Sequence, residues 1–206
     1  MRIVIATGNP HKVDEIRAVL GPMGFAVVSL GELGRPAPAE PDEPGATFEE
    51  NARIKARYYA AALGEPVLAD DSGLEVDALQ GEPGVQSAVW AGAEGSRAER
   101  DARNNAKLAE AMRGVPAHRR QARFVCTMCV ATPDGSVLVE TRGEFEGVIA
   151  DEPRGAHGFG YDPWLWLPDR GVTSAELPPE EKNALSHRGR AVRRLAYLIE
   201  HKRIAW

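Results

Sequence analysis

The run Pro66-Val67-Leu68-Ala69 closes on two adjacent carboxylates, Asp70 and Asp71, followed at once by Ser72 and Gly73. This pattern predicts a buried strand that ends in an acid pair and then a tight turn. In an open α/β sheet the carboxyl ends of strands are where ligands and metals sit. Two neighbouring carboxylates repel, so the pair costs stability unless a cation or a proton is shared. Mg²⁺ is the simplest hard, oxygen-seeking partner. A solvated acidic turn is the competing reading, because Asp and Gly are ordinary turn residues.

A length of 206 residues with 43% hydrophobic and 27% charged residues supports one generous domain or two small lobes around a substantial core. The net charge of −5 argues against nucleic acid or an anionic membrane as partner, so any anionic substrate must be met by local positive charge. No apolar run approaches the roughly 20 residues of a membrane helix, and Arg2 to Ala6 suits a first strand rather than a signal peptide. A cytoplasmic location follows as the expectation. Cys126 and Cys129 lie in a strand-like run, Arg123 to Ala131, with no second cysteine pair to complete a zinc site. Three residues apart on a strand, they point to opposite faces and are expected to be buried structural thiols. His11, His118, His157 and His201 show no metal-ligand spacing.

Element signals alternate along the chain. Residues 2–6 predict a strand, and Asn9 as N-cap with Pro10 after it opens a helix whose buried stripe is Val13, Ile16, Val19 and Leu20. Gly21-Pro22 and Gly24 stop it, and Ala26 to Leu30 predicts a second strand. Residues 34–46 form a long loop rich in Pro, Gly and acid. Thr47-Phe48-Glu49-Glu50 predicts a capping box for a helix that ends near Leu63 and Gly64. A charged helix is expected from Ser96 to Met112, its arginines on a solvated face. Pro133-Asp134-Gly135 between two strand-like runs predicts a hairpin, with a further strand from Gly143 to Ile149. A final helical region spans 179–199, with Gly189 as a possible break.

Four further stretches carry chemistry. Thr7-Gly8-Asn9-Pro10-His11-Lys12 puts free N–H groups, a helix dipole and a lysine at one helix start, which suits a phosphate but is no Walker A loop. Asp42-Glu43 precedes a helix carrying Lys55, a residue that either reaches a site or is a plain surface lysine. Gly158-Phe159-Gly160-Tyr161-Asp162-Pro163 offers glycines beside aromatics, either a slot for a flat ring or a structural turn over an aromatic core. Lys182, Ser186, His187 and Arg188 bring donors suited to phosphate or a carbonyl oxygen. Together these make the inventory for a nucleoside triphosphate with Mg²⁺. With no Ser-His-Asp pattern and no nucleophilic Cys, water attack on phosphorus is the implied reaction.

Five motifs in order give the chain a family resemblance. They are T-G-N-x-x-K, T-F-x-E-N-A-x-x-K-A, A-D-D-S-G-L-x-V-D-A-L-x-G-x-P-G-V, F-G-Y-D-P and E-K-x-x-x-S-H-R, running from Ile3 to about Leu198. Together they resemble the inosine triphosphate pyrophosphatase family, whose bacterial members are dITP/XTP pyrophosphatases. The resemblance implies an α/β fold with a long mixed sheet flanked by helices, in one domain of two lobes with the active-site cleft between them. It implies a Mg²⁺-dependent homodimer that hydrolyses ITP, dITP and XTP to the monophosphate and pyrophosphate. By the same resemblance Thr7, Gly8, Asn9, Pro10, His11 and Lys12 hold phosphates and Lys55 adds charge. Asp71 is then catalytic and binds metal with Glu43, while Ser72 contacts substrate. Phe159, Gly160, Tyr161 and Asp162 cradle the base, and Lys182, His187 and Arg188 contact it, with donors aimed at a 6-oxo group. A Maf-like pyrophosphatase and a nucleotide-binding regulator without turnover are the competing readings; the S-H-R and F-G-Y-D-P motifs favour the inosine triphosphate pyrophosphatase reading over the Maf-like one. The chain departs from the family pattern at Asp42-Glu43-Pro44-Gly45 and at Gln86 and Val89.

Overall fold

A computed structural model describes residues 2–201. Its strands are β1 (Arg2–Ile5), β2 (Ala26–Ser29), β3 (Val67–Val76), β4 (Gln121–Ala131), β5 (Val137–Ile149), β6 (Leu165–Leu167) and β7 (Val172–Thr173). The α-helices are α1 (Pro10–Leu20), α2 (Phe48–Leu63), α3 (Arg97–Ala111), α4 (Pro179–Leu185) and α5 (His187–His201). Among the described residues the seven strands form one mixed sheet in the order β2-β1-β3-β4-β5-β6-β7. The β1–β2 and β1–β3 pairs are parallel, whereas β5–β6 and β6–β7 are antiparallel. No helix of the described residues is long and apolar enough to cross a membrane.

The chain divides into two compact units. The first comprises Met1–Asp71, Cys126–Gly143 and Ser186–Trp206. In this unit β1, the first half of β3 and the end of β4 are buried on both faces. Ile3, Ile5, Leu68, Cys126, Met128 and Val130 share one apolar cluster with Ile16 and Leu20 of α1 and Val192 and Leu195 of α5. Val4, Ala6, Val67, Ala69, Cys129 and Ala131 share the other with Ala52, Ala56, Tyr59 and Leu63 of α2. Alternation along each strand makes both faces apolar, which is why these strands are continuous hydrophobic runs in the sequence. Cys126 and Cys129 therefore do face opposite ways, and burial pushes each thiol up to about 12.

The second unit comprises Ser72–Val125 and Glu144–Leu185. Its core joins Leu74, Val76, Phe124, Phe145, Tyr161, Trp164 and Leu165 with Leu108 of α3 and Met112. The α3 start carries a full capping box: Ser96 Oγ accepts from the Glu99 N–H, and the Glu99 carboxylate accepts from the Ser96 N–H at 2.7 Å.

Four sequence expectations change. Asp70-Asp71-Ser72-Gly73 is not a strand end followed by a turn, because β3 runs on to Val76. Gly73 is there for close approach: a Cβ would strike Ser87 Oγ and lie 2.6 Å from the Gly84 carbonyl oxygen. Residues 143–149 are not a separate strand but the second half of β5. The last helical region breaks at Ser186, whose hydroxyl accepts from the Gly189 N–H at 3.1 Å, so Gly189 lies inside α5. At α2 the Thr47 hydroxyl caps the Glu50 N–H as expected, but the returning Glu50 carboxylate accepts from Ala46 rather than Thr47.

Candidate active site

In the first unit, α1 starts as its sequence dictates. Asn9 is the N-cap, its Oδ1 accepting from the His11 N–H at 3.1 Å, and Pro10 fills the first turn. Thr7 Oγ1 accepts from the Asn9 N–H at 3.2 Å and fixes the turn. Gly8, Pro10 and His11 are exposed, and a Cβ on Gly8 would meet open space. Asn9 is buried, and its Nδ2 has no hydrogen-bond partner among the described residues. A buried donor without an acceptor at a helix N-terminus is a place where an anionic oxygen would be stabilised.

The two acids of the pair make different direct contacts. Successive side chains on β3 point to opposite faces, so Asp70 and Asp71 meet different partners. Asp70 is buried against Lys12, at 2.9 Å, and Arg188, at 3.4 Å. Arg188, only 1% exposed, also pairs with Glu15. Burial alone would raise the Asp70 carboxyl, but the Lys12, Arg188 and Lys55 charges outweigh it and hold the carboxyl well below the ordinary carboxylate range. Asp71 goes the other way. Burial pushes its carboxyl up, Glu43 adds to this, and Lys55 and Lys12 only partly offset it.

On the Asp71 side, α2 presents two residues one turn apart. Lys55 Nζ lies 3.3 Å from Asp71 Oδ1 and 2.7 Å from Glu43 Oε2. Asn51 Nδ2 donates to Asp71 Oδ2 at 3.2 Å. Burial disfavours the Lys55 charge, yet Asp71, Asp70 and Glu43 together raise its proton affinity, so the ammonium stays charged. Two carboxylates, Glu43 and Asp71, thus converge on a single cationic centre. That donor set fits Mg²⁺, which is held by one or two carboxylates plus substrate phosphates and keeps several waters. It does not fit a closed protein cage, and among the described residues no group of three or more His, Cys, Asp or Glu side chains is arranged to hold a metal.

In the second unit the glycine-aromatic loop is tied down by Asp162. Its Oδ2 accepts from the Phe159 N–H at 2.8 Å and from Lys182 Nζ at 2.6 Å, and its Oδ1 accepts from Ser174 Oγ at 2.8 Å. Gly158, at φ +78°, is obligatory, since a Cβ would strike the Asp162 carboxylate and sit 2.9 Å from Lys182 Nζ. Tyr161 is buried, and its hydroxyl donates to the Ser87 carbonyl at 2.9 Å. Asp162 and Tyr161 therefore occupy supporting positions under the loop. Phe159 is half-buried, with Arg97 5.0 Å and Lys182 5.2 Å from its ring centre. Ser72 is half-buried at the start of this unit.

Within the first unit the structure thus gathers Lys12, Asp70 and Arg188 in one cluster and Glu43, Lys55 and Asp71 in another. His187 is buried in the first turn of α5, in the same unit. Phe159 to Asp162 and Lys182 gather in the second unit. Sequence reasoning missed Asn51, Arg97, Asp101 and Asn105. Asp101 Oδ2 accepts from the Gly160 N–H at 3.2 Å, and Asn105 Nδ2 donates to the Gly160 carbonyl at 3.1 Å. The four-residue spacings of Arg97, Asp101 and Asn105, and of Asn51 and Lys55, were the available signal, since each set shares one helix face.

The chain is similar to known proteins over nearly its whole length. Residues 3–198 match the model of the Ham1 family. A dITP/XTP pyrophosphatase of Exiguobacterium is 52% identical over 195 residues, which cover 95% of each chain. The solved structure of a HAM1 protein from Coxiella burnetii superposes with a TM-score of 0.85 at 38% identity, covering 98% of this chain and 99% of that one. A nucleoside-triphosphatase / dITP/XTP pyrophosphatase from Mycobacterium abscessus gives 0.74 at 45% identity, covering 95% and 98%. A mixed sheet of this order, a capped α1 beside Lys12, and Asp71 held by α2 are thus features of a chain that belongs to the Ham1 family.

Proposed function

We propose that this protein is a Mg²⁺-dependent pyrophosphatase that hydrolyses non-canonical purine nucleoside triphosphates (ITP, dITP and XTP) to the monophosphate and pyrophosphate, cleansing the nucleotide pool. The observation that carries the reading is the Glu43–Lys55–Asp71 constellation: two carboxylates converging on one cationic centre, in a chain half identical to a named dITP/XTP pyrophosphatase. Lys12, Lys55 and the first turn of α1 bind triphosphate oxygens. Asp71 and Glu43 would hold Mg²⁺, which would supply charge neutralisation on the triphosphate. Asp71 helps activate the attacking water.

The half-buried Phe159 ring offers a stacking face for the base, and Lys182 a donor beside it. His187 and Arg188 supply further donors. Arg188 reaches a ligand by exchanging one of its two carboxylate partners, Glu15 or Asp70. A 6-oxo acceptor satisfies such donors, whereas a 6-amino group leaves them unpaired. The same reading carries a single functional domain over the whole chain, a homodimer, a cytoplasmic location, and neither nucleic acid nor membrane as partner.

Pyrophosphate release from ITP, dITP, XTP, GTP, ATP and dUTP, with and without Mg²⁺, tests it. High turnover of the first three only with Mg²⁺ is expected. Comparable turnover of GTP and ATP refutes the selectivity, and a protein that binds nucleotide without Mg²⁺-dependent release is a regulator instead.

A further inference from the structure

The acidic loop and the catalytic strand are joined by a residue with no assigned role. Asn51 is 2% exposed, and its amide spans two partners. Oδ1 accepts from the Gly45 N–H at 2.8 Å, and Nδ2 donates to Asp71 Oδ2 at 3.2 Å. The amide has only one workable orientation. A backbone N–H can only donate and an ionised carboxylate can only accept, so oxygen must face Gly45 and nitrogen must face Asp71.

One turn later on α2, Lys55 makes the same connection in parallel, from Glu43 to Asp71. Two loop residues on either side of Pro44, Glu43 and Gly45, are therefore each strapped to Asp71 by one side chain of α2. Residues 34–46 have no regular secondary structure and Pro44 has no N–H to give, while Ala46, the residue after Gly45, donates its N–H to the Glu50 carboxylate at 2.7 Å. Gly45 is fitted to the strap, since a Cβ would strike Asn51 Oδ1, with Glu50 Cβ at 2.8 Å and the Asn51 nitrogen at 3.0 Å. The two straps are not equivalent. A metal held by Glu43 and Asp71 would compete with the Lys55 ammonium, which contacts both carboxylates, whereas the Asn51 strap touches neither Glu43 nor Asp71 Oδ1.

We propose that Asn51 is a positioning residue that, through Gly45, holds the Glu43 carboxylate opposite Asp71 before and after the cation binds. This rests on the reading of Glu43 and Asp71 as the metal-holding pair. Three variants test it: Asn51→Ala, Gly45→Ala and Asn51→Asp. Amide exchange at residue 45 is read in the metal-free protein, and the Mg²⁺ half-saturation and nucleotide KM are read in pyrophosphate release.

For Asn51→Ala and Gly45→Ala, exchange at residue 45 is expected to speed up by tenfold or more. The Mg²⁺ half-saturation is expected to rise about tenfold, with nucleotide KM at saturating Mg²⁺ within about twofold of wild type. Asn51→Asp keeps the acceptor for the residue-45 N–H, so exchange there is expected to stay slow. Unchanged exchange in both alanine variants overturns the strap. Faster exchange with an unchanged Mg²⁺ half-saturation overturns the positioning role. If Asn51→Ala fails to fold, Gly45→Ala decides, since it leaves the amide in place. If the wild type releases no pyrophosphate from any triphosphate, the functional reading fails, and the exchange measurement alone decides the strap.

Discussion

Replacing Asp70 by Asn leaves the Lys12 and Arg188 charges buried with less compensation, because both pair with this carboxylate. Breaking a buried ion pair from one side costs about 3–5 kcal/mol, so Asp70→Asn is expected to lower the denaturant midpoint by that amount of stability. Asp71→Asn is expected to leave the midpoint at or above wild type while abolishing pyrophosphate release. The signs follow from the direction of each shift. The Asp70 carboxyl is held low, so its contribution is present above the ordinary Asp value of about 3.9 and is lost as acid titrates the folded carboxylate. The Asp71 carboxyl is held high, so its charged form is a cost that grows as pH rises from the ordinary value through the folded one. Unfolding curves of both variants at neutral and acid pH check the pair, and a stability loss of equal size in each sinks the distinction. At this scale the sequence offered two adjacent acids, and strand alternation, a local rule, separates them.

Helix α3 shows how much an element can conceal. Its sequence, interleaving Arg with Glu and Asp, suggests a solvated face, and Arg103 does lie exposed, with Arg100 half-buried, both donating to carbonyls of residues 93–95. The Arg97–Asp101–Asn105 face is different, since it holds the Gly160 peptide from both sides and places a guanidinium on the Phe159 ring. Asp101→Ala and Asn105→Ala each remove one hydrogen bond of about 1 kcal/mol. Each is expected to raise nucleotide KM by about threefold to tenfold with kcat held within twofold. Steady-state kinetics on the preferred triphosphate check this, and a fall in kcat at constant KM counts against a base-side role. The starts of α1, α2 and α3 were legible beforehand because capping is settled within four residues. The partner of an exposed-looking helix face is settled 55 or more residues away.

For the molecule as a whole, neither compact unit is a continuous piece of chain. The first draws on three segments, and its apolar cluster joins Ile3, Ile5 and Leu68 to Met128, Val139, Val192 and Leu195. A fragment of residues 1–71 contains the Thr7–Lys12 turn, both aspartates and Lys55, but lacks those partners. It is expected to show no cooperative thermal transition by circular dichroism, and a cooperative melt would contradict the account of its core. The Gly143 position makes the same point on a smaller scale. A Cβ there would strike the His187 carbonyl and lie 2.7 Å from the Ala191 nitrogen, so β5 meets α5 backbone to backbone more than 40 residues apart.

By itself the sequence determined the α/β class, the helix starts, the doubly buried strands, the opposed cysteines and the family's motifs in order. All of these are encoded in contacts or periodicities a few residues long. Only the tertiary structure decided that Gly73 answers a close approach rather than a turn, that Asp70 belongs to Lys12 and Arg188 while Asp71 belongs to Asn51 and Lys55, and that Asn51 straps the Glu43 loop. A glycine, an aspartate or an asparagine has several uses of similar local cost. Which one is realised depends on the charge and volume that distant segments bring beside it.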